Sequence, residues 1–405
     1  MKKTILKGAA MLLGGVLMGT LLMIAAYAIP SETVWENVRV SAQTLANEGL
    51  RYEAIDGYHA SRLDDFTDAI MIGNAVLTTE DPVESAMTAR HFAGGETIGT
   101  LMRYLDGEDV PTESYARYWH GYLAALKPLL MVMNLNSIRV LNMYAQLALV
   151  LWTAALMVRR GLSRHGLALF AAYASLCPAA VMQSLQYSTA FYVAFGAMAV
   201  LLWTDGRMND ALFFMAVGML TSFVDCLTYP IATLGLPLAV RMVLRQKQEK
   251  PCGLADFVKI WLSWGIGYAG MWSGKWLMAA LLTGQNVFAE AGSAMGNRVC
   301  AVHDIGVGLA LSTGVQENLR IMFNPLTVLM LLGELAVCAL LWLRVGGRPD
   351  VKRLGPYLLC ALLPIAWYMA LLNHSAEHAF FTYRALCVTI FAAVSMAIPT
   401  GKAET

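Results

Sequence analysis

Apolar runs close to 20 residues long recur along this chain, and no other feature restricts its fold as tightly. A helix needs about 20 mostly apolar residues to cross a bilayer core. Hydrocarbon offers no partner to a backbone N–H or C=O, so a spanning chain folds as helices or as a closed barrel. Ten runs suit helices: 8–28, 136–158, 166–182, 188–204, 210–226, 229–243, 256–280, 325–343, 355–372 and 383–399. Several are short, and 210–243 reads as two helices or as one pair broken at Tyr229-Pro230, so the count runs from nine to eleven. Charged residues make up 14% of the 405 and apolar residues 58%. Soluble domains carry about 25% charge, which excludes an ordinary soluble enzyme; so much apolar surface also excludes disorder. The expected fold is all-α, a polytopic transmembrane helix bundle of about ten spans, with 1–405 as a single integral-membrane domain and no internal repeat.

Lys2, Lys3 and Lys7 precede the first run, which ends at Ala26-Tyr27-Ala28. The run is long for the apolar core of a signal peptide, and cleavage after Ala28 would place Pro30 second in the product, so it reads as an uncleaved anchor. Lys and Arg concentrate in loops retained in the cytoplasm. Arg159, Arg160 and Arg164 follow the second run; Arg241, Arg245, Lys247 and Lys250 the sixth; Arg344, Arg348, Lys352 and Arg353 the eighth. Ten spans then put all three loops and both termini inside a cytoplasmic (plasma) membrane. The outward parts become 30–118, the turns near 183–187 and 225–228, the loop 281–324 and the turn 373–382. Residues 30–135, polar and of mixed charge, form the first outer loop and are expected to build short helices on the outer surface. Within it 119–135, with Trp119, Tyr122 and Lys127-Pro128, reads as interfacial or re-entrant.

The net charge of +1 gives no field for nucleic acid. Cys177, Cys226, Cys252, Cys300, Cys338, Cys360 and Cys387 are scattered without metal-ligand spacing and read as buried thiols.

Charge near a membrane is costly, and here it collects on the outer side. Asp64 and Asp68, in Arg62-Leu63-Asp64-Asp65-Phe66-Thr67-Asp68, share one face of a helical turn. Like charges at that spacing raise one pKa, as a general base or a divalent-ion pair would require; a solvated acidic turn or a helix cap is the plainer account. Asp225 ends an apolar run and either caps the helix at Thr228-Tyr229-Pro230 or joins a site. Lys275, between Trp272 and Trp276, either snorkels or holds a phosphate. The turn 373–384 is the densest polar cluster. His374 and His378 are four apart with Glu377 beside them, yet the order HExxH is absent, which argues against zinc catalysis. Arg384 could grip a phosphate with two N–H groups or anchor the last span. Arg117 and His120 stand among Tyr118, Trp119 and Tyr122, a mixture that suits a sugar face or any membrane interface. Further outward cations are Lys127, Arg139, Arg298 and Arg320.

No phosphate loop GxxxxGK[ST] is present, which argues against nucleotide-driven chemistry. A group donor available outside the cell is a lipid-linked phosphate, with its tail in the bilayer and its phosphate at the outer boundary. Glycosyl transfer from it needs a carboxylate to take the acceptor's proton and cations or a metal to stabilise the departing phosphate. Asp64 or Asp68 suits the first role; Lys275, Arg384, His374 and His378 suit the second. Direct displacement would invert the anomeric centre.

In layout, one span, a long acidic outer loop and many further spans, the chain resembles the GT-C class of membrane glycosyltransferases. The segments LDDFTDAIM (63–71), RYWHGYLAALKPLL (117–130), SFVDCLTYPIATLGLP (222–237) and NHSAEHAFFTYR (373–384) look similar to bacterial members of that kind. The resemblance implies a polyprenyl-phosphate-linked sugar donor, a cell-envelope glycan or glycolipid acceptor, and a catalytic Asp in the first outer loop. By position that residue is Asp64, with Asp65 the fallback if the register differs by one. Members differ in needing a divalent ion (Mg or Mn), so Asp64 and Asp68 would be base, ligand or both. The large carboxy-terminal soluble domain of some members has no counterpart before Thr405. Two other classes compete: a flippase or transporter of lipid-linked sugar, which needs polar groups near the bilayer midplane, and a glycan polymerase, ligase or acyltransferase.

Overall fold

Asn134, Ser184 and Asn209 each accept the backbone N–H three residues on, at 3.2 Å, and each opens a long apolar helix. In the computed structural model, which describes residues 2–299, 307–345 and 354–399, these belong to an all-helical architecture. The first part comprises α1 (Lys2–Tyr27), α2 (Trp35–Glu48), α3 (Asp65–Gly73), α4 (Pro82–Thr88), α5 (Thr97–Leu105), α6 (Leu123–Leu130) and α7 (Leu135–Arg159). Next come α8 (Gly166–Ser175), α9 (Pro178–Val181), α10 (Leu185–Trp203), α11 (Asp210–Val224), α12 (Ile231–Lys247) and α13 (Leu254–Thr283). The last are α14 (Val287–Val299), α15 (Val307–Met322), α16 (Pro325–Val345), α17 (Leu354–Ala370), α18 (Leu372–Glu377), α19 (Ala379–Thr382) and α20 (Cys387–Ala397). The described strands, β1 (His91–Phe92) and β2 (Thr112–Glu113), pair antiparallel in the register His91–Glu113. Arg348, Lys352, Arg353 and Cys300 lie outside the described residues.

A helix occupies each of the ten apolar runs. Five helical stretches among the described residues are long and apolar enough to cross a membrane: α1, α7, α10, α16 and Ala379–Ala397. The run 166–182 breaks into α8 and α9 at Cys177, whose φ is +57°. The last run starts earlier than its sequence suggests, at Ala379. Burial sorts the five: the most apolar stretch is 17% buried in α16, 22% in α7 and 28% in α1, against 72% in α10 and 83% in Ala379–Ala397. The first three therefore turn leucines such as Leu151, Leu329 and Leu343 away from the protein, and the last two form the centre.

Gly265-Ile266-Gly267-Tyr268-Ala269-Gly270 has the spacing of a dinucleotide fingerprint, but it lies in the middle of α13 rather than at a strand-to-helix turn, where that fingerprint binds. Its use is packing. A Cβ on Gly267 would stand 2.1 Å from Met215 O, and one on Gly218 would stand 2.1 Å from Trp264 O, so α11 and α13 meet backbone to backbone.

The helices share two ends. At one, Arg241 meets Asp210 at 2.8 Å, Arg245 meets Asp256 at 2.7 Å, and Arg160 bonds Leu202 O at 2.6 Å. At the other, residues 28–134 pack over the ends of α1, α11 and α13 and the starts of α7 and α10. Segment 119–135 buries one face there and leaves Ala125, Pro128, Met131 and Val132 exposed. Trp119, Leu123, Leu126, Lys127 and Leu130 are buried, and the Trp119 indole N–H bonds Met271 O at 2.7 Å. Gly121 permits this, since a Cβ on it would stand 2.4 Å from Phe223 O.

Candidate functional site

Under residues 28–134 a cavity of about 130 Å³ opens between the start of α3, the start of α10, the turn after α11 and α18. Asp64, His120, His374 and His378 line it, together with Arg51, Arg298, Tyr115, Gln186 and Cys226. Five residues from the sequence reading, Arg298 among them, thus come together here, although Asp64 and His378 are 314 positions apart.

Asp64 stands immediately before α3 but does not cap it. Its Oδ2 accepts the Thr67 hydroxyl at 2.7 Å, while Oδ1 is buried without a hydrogen-bond partner, 3.7 Å from the Arg51 guanidinium. Burial raises the carboxyl above its ordinary value, and Thr67, Arg51 and Arg62 pull it partly back. Arg51 and Arg62 both lie over the Phe380 ring, at 4.8 and 5.1 Å, and Arg298 lies over Tyr118 at 5.4 Å.

His374 and His378 do meet, with ring centroids 4.7 Å apart. Leu227 O accepts from His374 Nε2 at 2.8 Å, which fixes the proton on that nitrogen. Nδ1 of each ring is buried without a partner. Burial pushes His374 well below the ordinary histidine value and His378 down to about 4, with Arg298 adding to both. Both shifts favour the neutral rings. His120 is also neutral, lowered to about 3 by burial. Its Nδ1 lies 2.9 Å from the Tyr122 hydroxyl and its Nε2 lies 3.1 Å from Tyr115 O.

The other sequence candidates stand apart from the cavity lining, most of them with hydrogen-bonding groups engaged elsewhere. Lys275, fully buried, donates to Ala86 O and Met87 O at 2.7 and 3.0 Å and so closes the end of α4. Arg384, equally buried, donates to Leu176 O, Phe380 O and Ala60 O at 3.0, 3.1 and 3.2 Å. Asp68 accepts the N–H groups of Leu185 and Gln186 at 2.9 and 3.0 Å, capping α10. Burial nevertheless raises it to about 6. Asp65 faces Arg139 at 3.4 Å and shares that guanidinium with Glu48; burial and Asp68 push it upward. Asp225 accepts Thr228 N–H at 2.9 Å and the Thr189 hydroxyl at 3.1 Å, closing the turn that presents Leu227 O to His374. Arg117 is bound to Glu290 at 2.6 Å and lies over Tyr115 at 4.2 Å. Lys127 is buried over Tyr27 at 5.4 Å, without a hydrogen-bond partner and lowered to about 8 by burial.

A divalent metal does not fit these donors. Asp64 offers one free carboxylate oxygen, Asp68 spends its oxygens on backbone N–H groups, and guanidinium groups flank Asp64. Among the described residues no group of three or more His, Cys, Asp or Glu could hold a metal ion.

Beside the cavity runs an apolar groove of about 410 Å³ between α6, α7, α10 and α11, lined by side chains such as Leu129, Leu141, Ala145, Val193 and Leu220. Met71 and Tyr122 belong to both walls, so the groove and the polar cavity adjoin at these two residues. Sequence reasoning missed Arg51, Tyr115, Gln186 and Cys226. Arg51 and Tyr115 sit in ordinary polar surroundings in the sequence; Gln186, a polar residue at the start of an apolar run, carried the only usable signal. No family model matches the chain, and no curated protein or solved structure matches it.

Proposed function

We propose that the chain is a GT-C-type membrane glycosyltransferase that moves a sugar from a polyprenyl-phosphate donor to an envelope glycan or glycolipid. One observation carries this reading: a polar cavity holding a buried, half-satisfied carboxylate adjoins an apolar groove at Met71 and Tyr122. An isoprenoid tail suits the groove, whose walls are nearly all hydrocarbon. Arg51 and Arg298 suit the donor phosphate, replacing Lys275 and Arg384 in that role. In the reaction the acceptor hydroxyl oxygen attacks the anomeric carbon and passes its proton to Asp64. The bond from that carbon to the phosphate oxygen breaks, and polyprenyl phosphate leaves with the electron pair. Attack opposite the leaving group inverts the anomeric centre.

The ten helical runs would then all cross the cytoplasmic membrane. The basic end holding Arg160, Arg241 and Arg245 would face the cytoplasm with both termini, and the cavity would face out. A flippase fits less well. The groove follows α10 only from Leu185 to Val193, about 12 Å at 1.5 Å per residue, against a bilayer core of about 30 Å.

The test is a deletion strain complemented with the wild-type gene or with Asp64→Asn. The variant should insert normally yet leave the envelope glycan without its sugar, and purified variant should release no polyprenyl phosphate. A normal glycan in the Asp64→Asn strain would sink the assignment.

A further inference from the structure

Once Arg51 and Arg298 are assigned to the donor phosphate, the cavity's remaining unfilled hydrogen-bonding capacity is lopsided. Asp64 Oδ1, 3.7 Å from the Arg51 guanidinium, and Gln186 Oε1 are buried acceptors with no hydrogen-bond partner. His374 Nδ1 is a third, because the proton of that neutral ring is committed through Nε2 to Leu227 O. His378 Nδ1, also orphaned, can serve either way. Asp64, Gln186 and His374 are each at most 4% exposed, and all four residues line the same space. Buried polar atoms are almost always paired in folded proteins, with protein, ordered water or ligand, so these atoms are open to a bound molecule. It must bring several donors, and O–H groups on a compact ring do so. The space measures about 130 Å³. Aromatic walls from Tyr115, Phe66 and Phe381 suit the C–H face of such a ring.

Resting on the glycosyltransferase reading, we infer that the donor sugar is a single neutral ring with free hydroxyls, and that Gln186 and His374 select it. An acetamido sugar adds bulk and puts a carbonyl acceptor among acceptors. A uronic acid sets a carboxylate beside Asp64. Gln186 is held for this role by Asp68, which binds its backbone N–H at 3.0 Å, and His374 by the turn that Asp225 closes. Both are positioned by buried carboxylates that do not line the cavity.

The experiment uses full-length protein in lipid nanodiscs and four probes: polyprenyl phosphate, the same lipid carrying glucose, the same carrying N-acetylglucosamine, and methyl glucoside. The glucosyl lipid should bind at least tenfold more tightly than the bare or N-acetylated lipid, since a site built around hydroxyls rejects ligands that leave it unpaired. Gln186→Leu should reduce that preference to below threefold while bare polyprenyl phosphate binds as before. His374→Asn should do the same where the variant folds, and Gln186→Leu stands alone where it does not. Equal or tighter binding of the N-acetylated lipid, or an unaltered preference in Gln186→Leu, overturns the sugar assignment and leaves the enzyme reading intact. Methyl glucoside binding as tightly as the glucosyl lipid moves the cavity to the acceptor and also overturns it. No binding by any of the three lipids overturns both.

Discussion

Two groups of buried polar residues lie within the same end of this bundle, and they differ in one respect. Around the cavity, Asp64, Gln186, His374 and His378 each keep an atom without a partner. Behind it, Arg384 has three carbonyls, Lys275 two, and Asp68 two backbone N–H groups. Burying a charge costs several kcal/mol unless hydrogen bonds offset it, so the second group is stable as it stands and is structural. The first group is incomplete, which is the state expected of a site whose ligand finishes the bonding. Lys127, also without a hydrogen-bond partner but away from the cavity, shows that an orphaned atom points to a site only where it faces a cavity.

The largest effect should come from the satisfied group. Arg384 ties the loop at Ala60, the break at Leu176 and the turn at Phe380 to one guanidinium. Arg384→Met strands those carbonyls, and at about 1.5–3 kcal/mol per charge-assisted bond the loss exceeds about 4 kcal/mol. The variant should fail to accumulate in the membrane. Normal yield and thermal stability in detergent would show that the carbonyls find other partners and would break the distinction.

Asp64→Asn should do the reverse. Its Oδ1 has no hydrogen bond to lose, and the 3.7 Å ion pair to the half-exposed Arg51 contributes little, so the melting temperature should change little. Transfer should fall by about 10²–10⁴, the usual contribution of a general base. Loss of fold in parallel with loss of transfer would return Asp64 to the structural group.

Asp68→Asn tests the boundary between the groups. It keeps the size but supplies one acceptor oxygen to the two N–H groups that open α10. Losing a helix cap costs about 1–2 kcal/mol, so melting should drop by a few degrees while activity per folded molecule changes little. A drop in kcat beyond tenfold at unchanged folding would place Asp68 among the reacting groups.

The sequence showed the architecture because apolar length is a local property, and every run between 8 and 399 carries a helix. It also pointed to the first loop and 373–384, which both supply cavity-lining residues, since polar residues there interrupt long apolar stretches. It did not show which charges were free. Asp64, Asp65 and Asp68 are neighbours in sequence, yet their partners are Arg51, Arg139 and the backbone of Leu185 and Gln186. Lys275 looked unpaired because its partners are main-chain oxygens of Ala86 and Met87, 188 or more residues away. Backbone partners carry no residue-type signature, so a lysine bonded to carbonyls and one awaiting a phosphate read alike.

The finest test is the pH response of Asp64. Burial places its folded pKa above the ordinary carboxylate value, and it acts as a base only when ionised. Transfer at saturating donor should therefore rise with pH along a limb centred above the ordinary value. Stability should run the other way. The folded state binds more protons than the unfolded one between the two pKa values, so Asp64's contribution falls as pH climbs through that window. Arg51 is one of the groups that hold the pKa down, so Arg51→Gln should carry the rising limb to higher pH, with a lower alkaline plateau because the donor phosphate also loses a cation. A pH–stability profile flattened in Asp64→Asn would accompany it. An unmoved limb in Arg51→Gln would mean that another group titrates, and Asp64 would lose its place as the base.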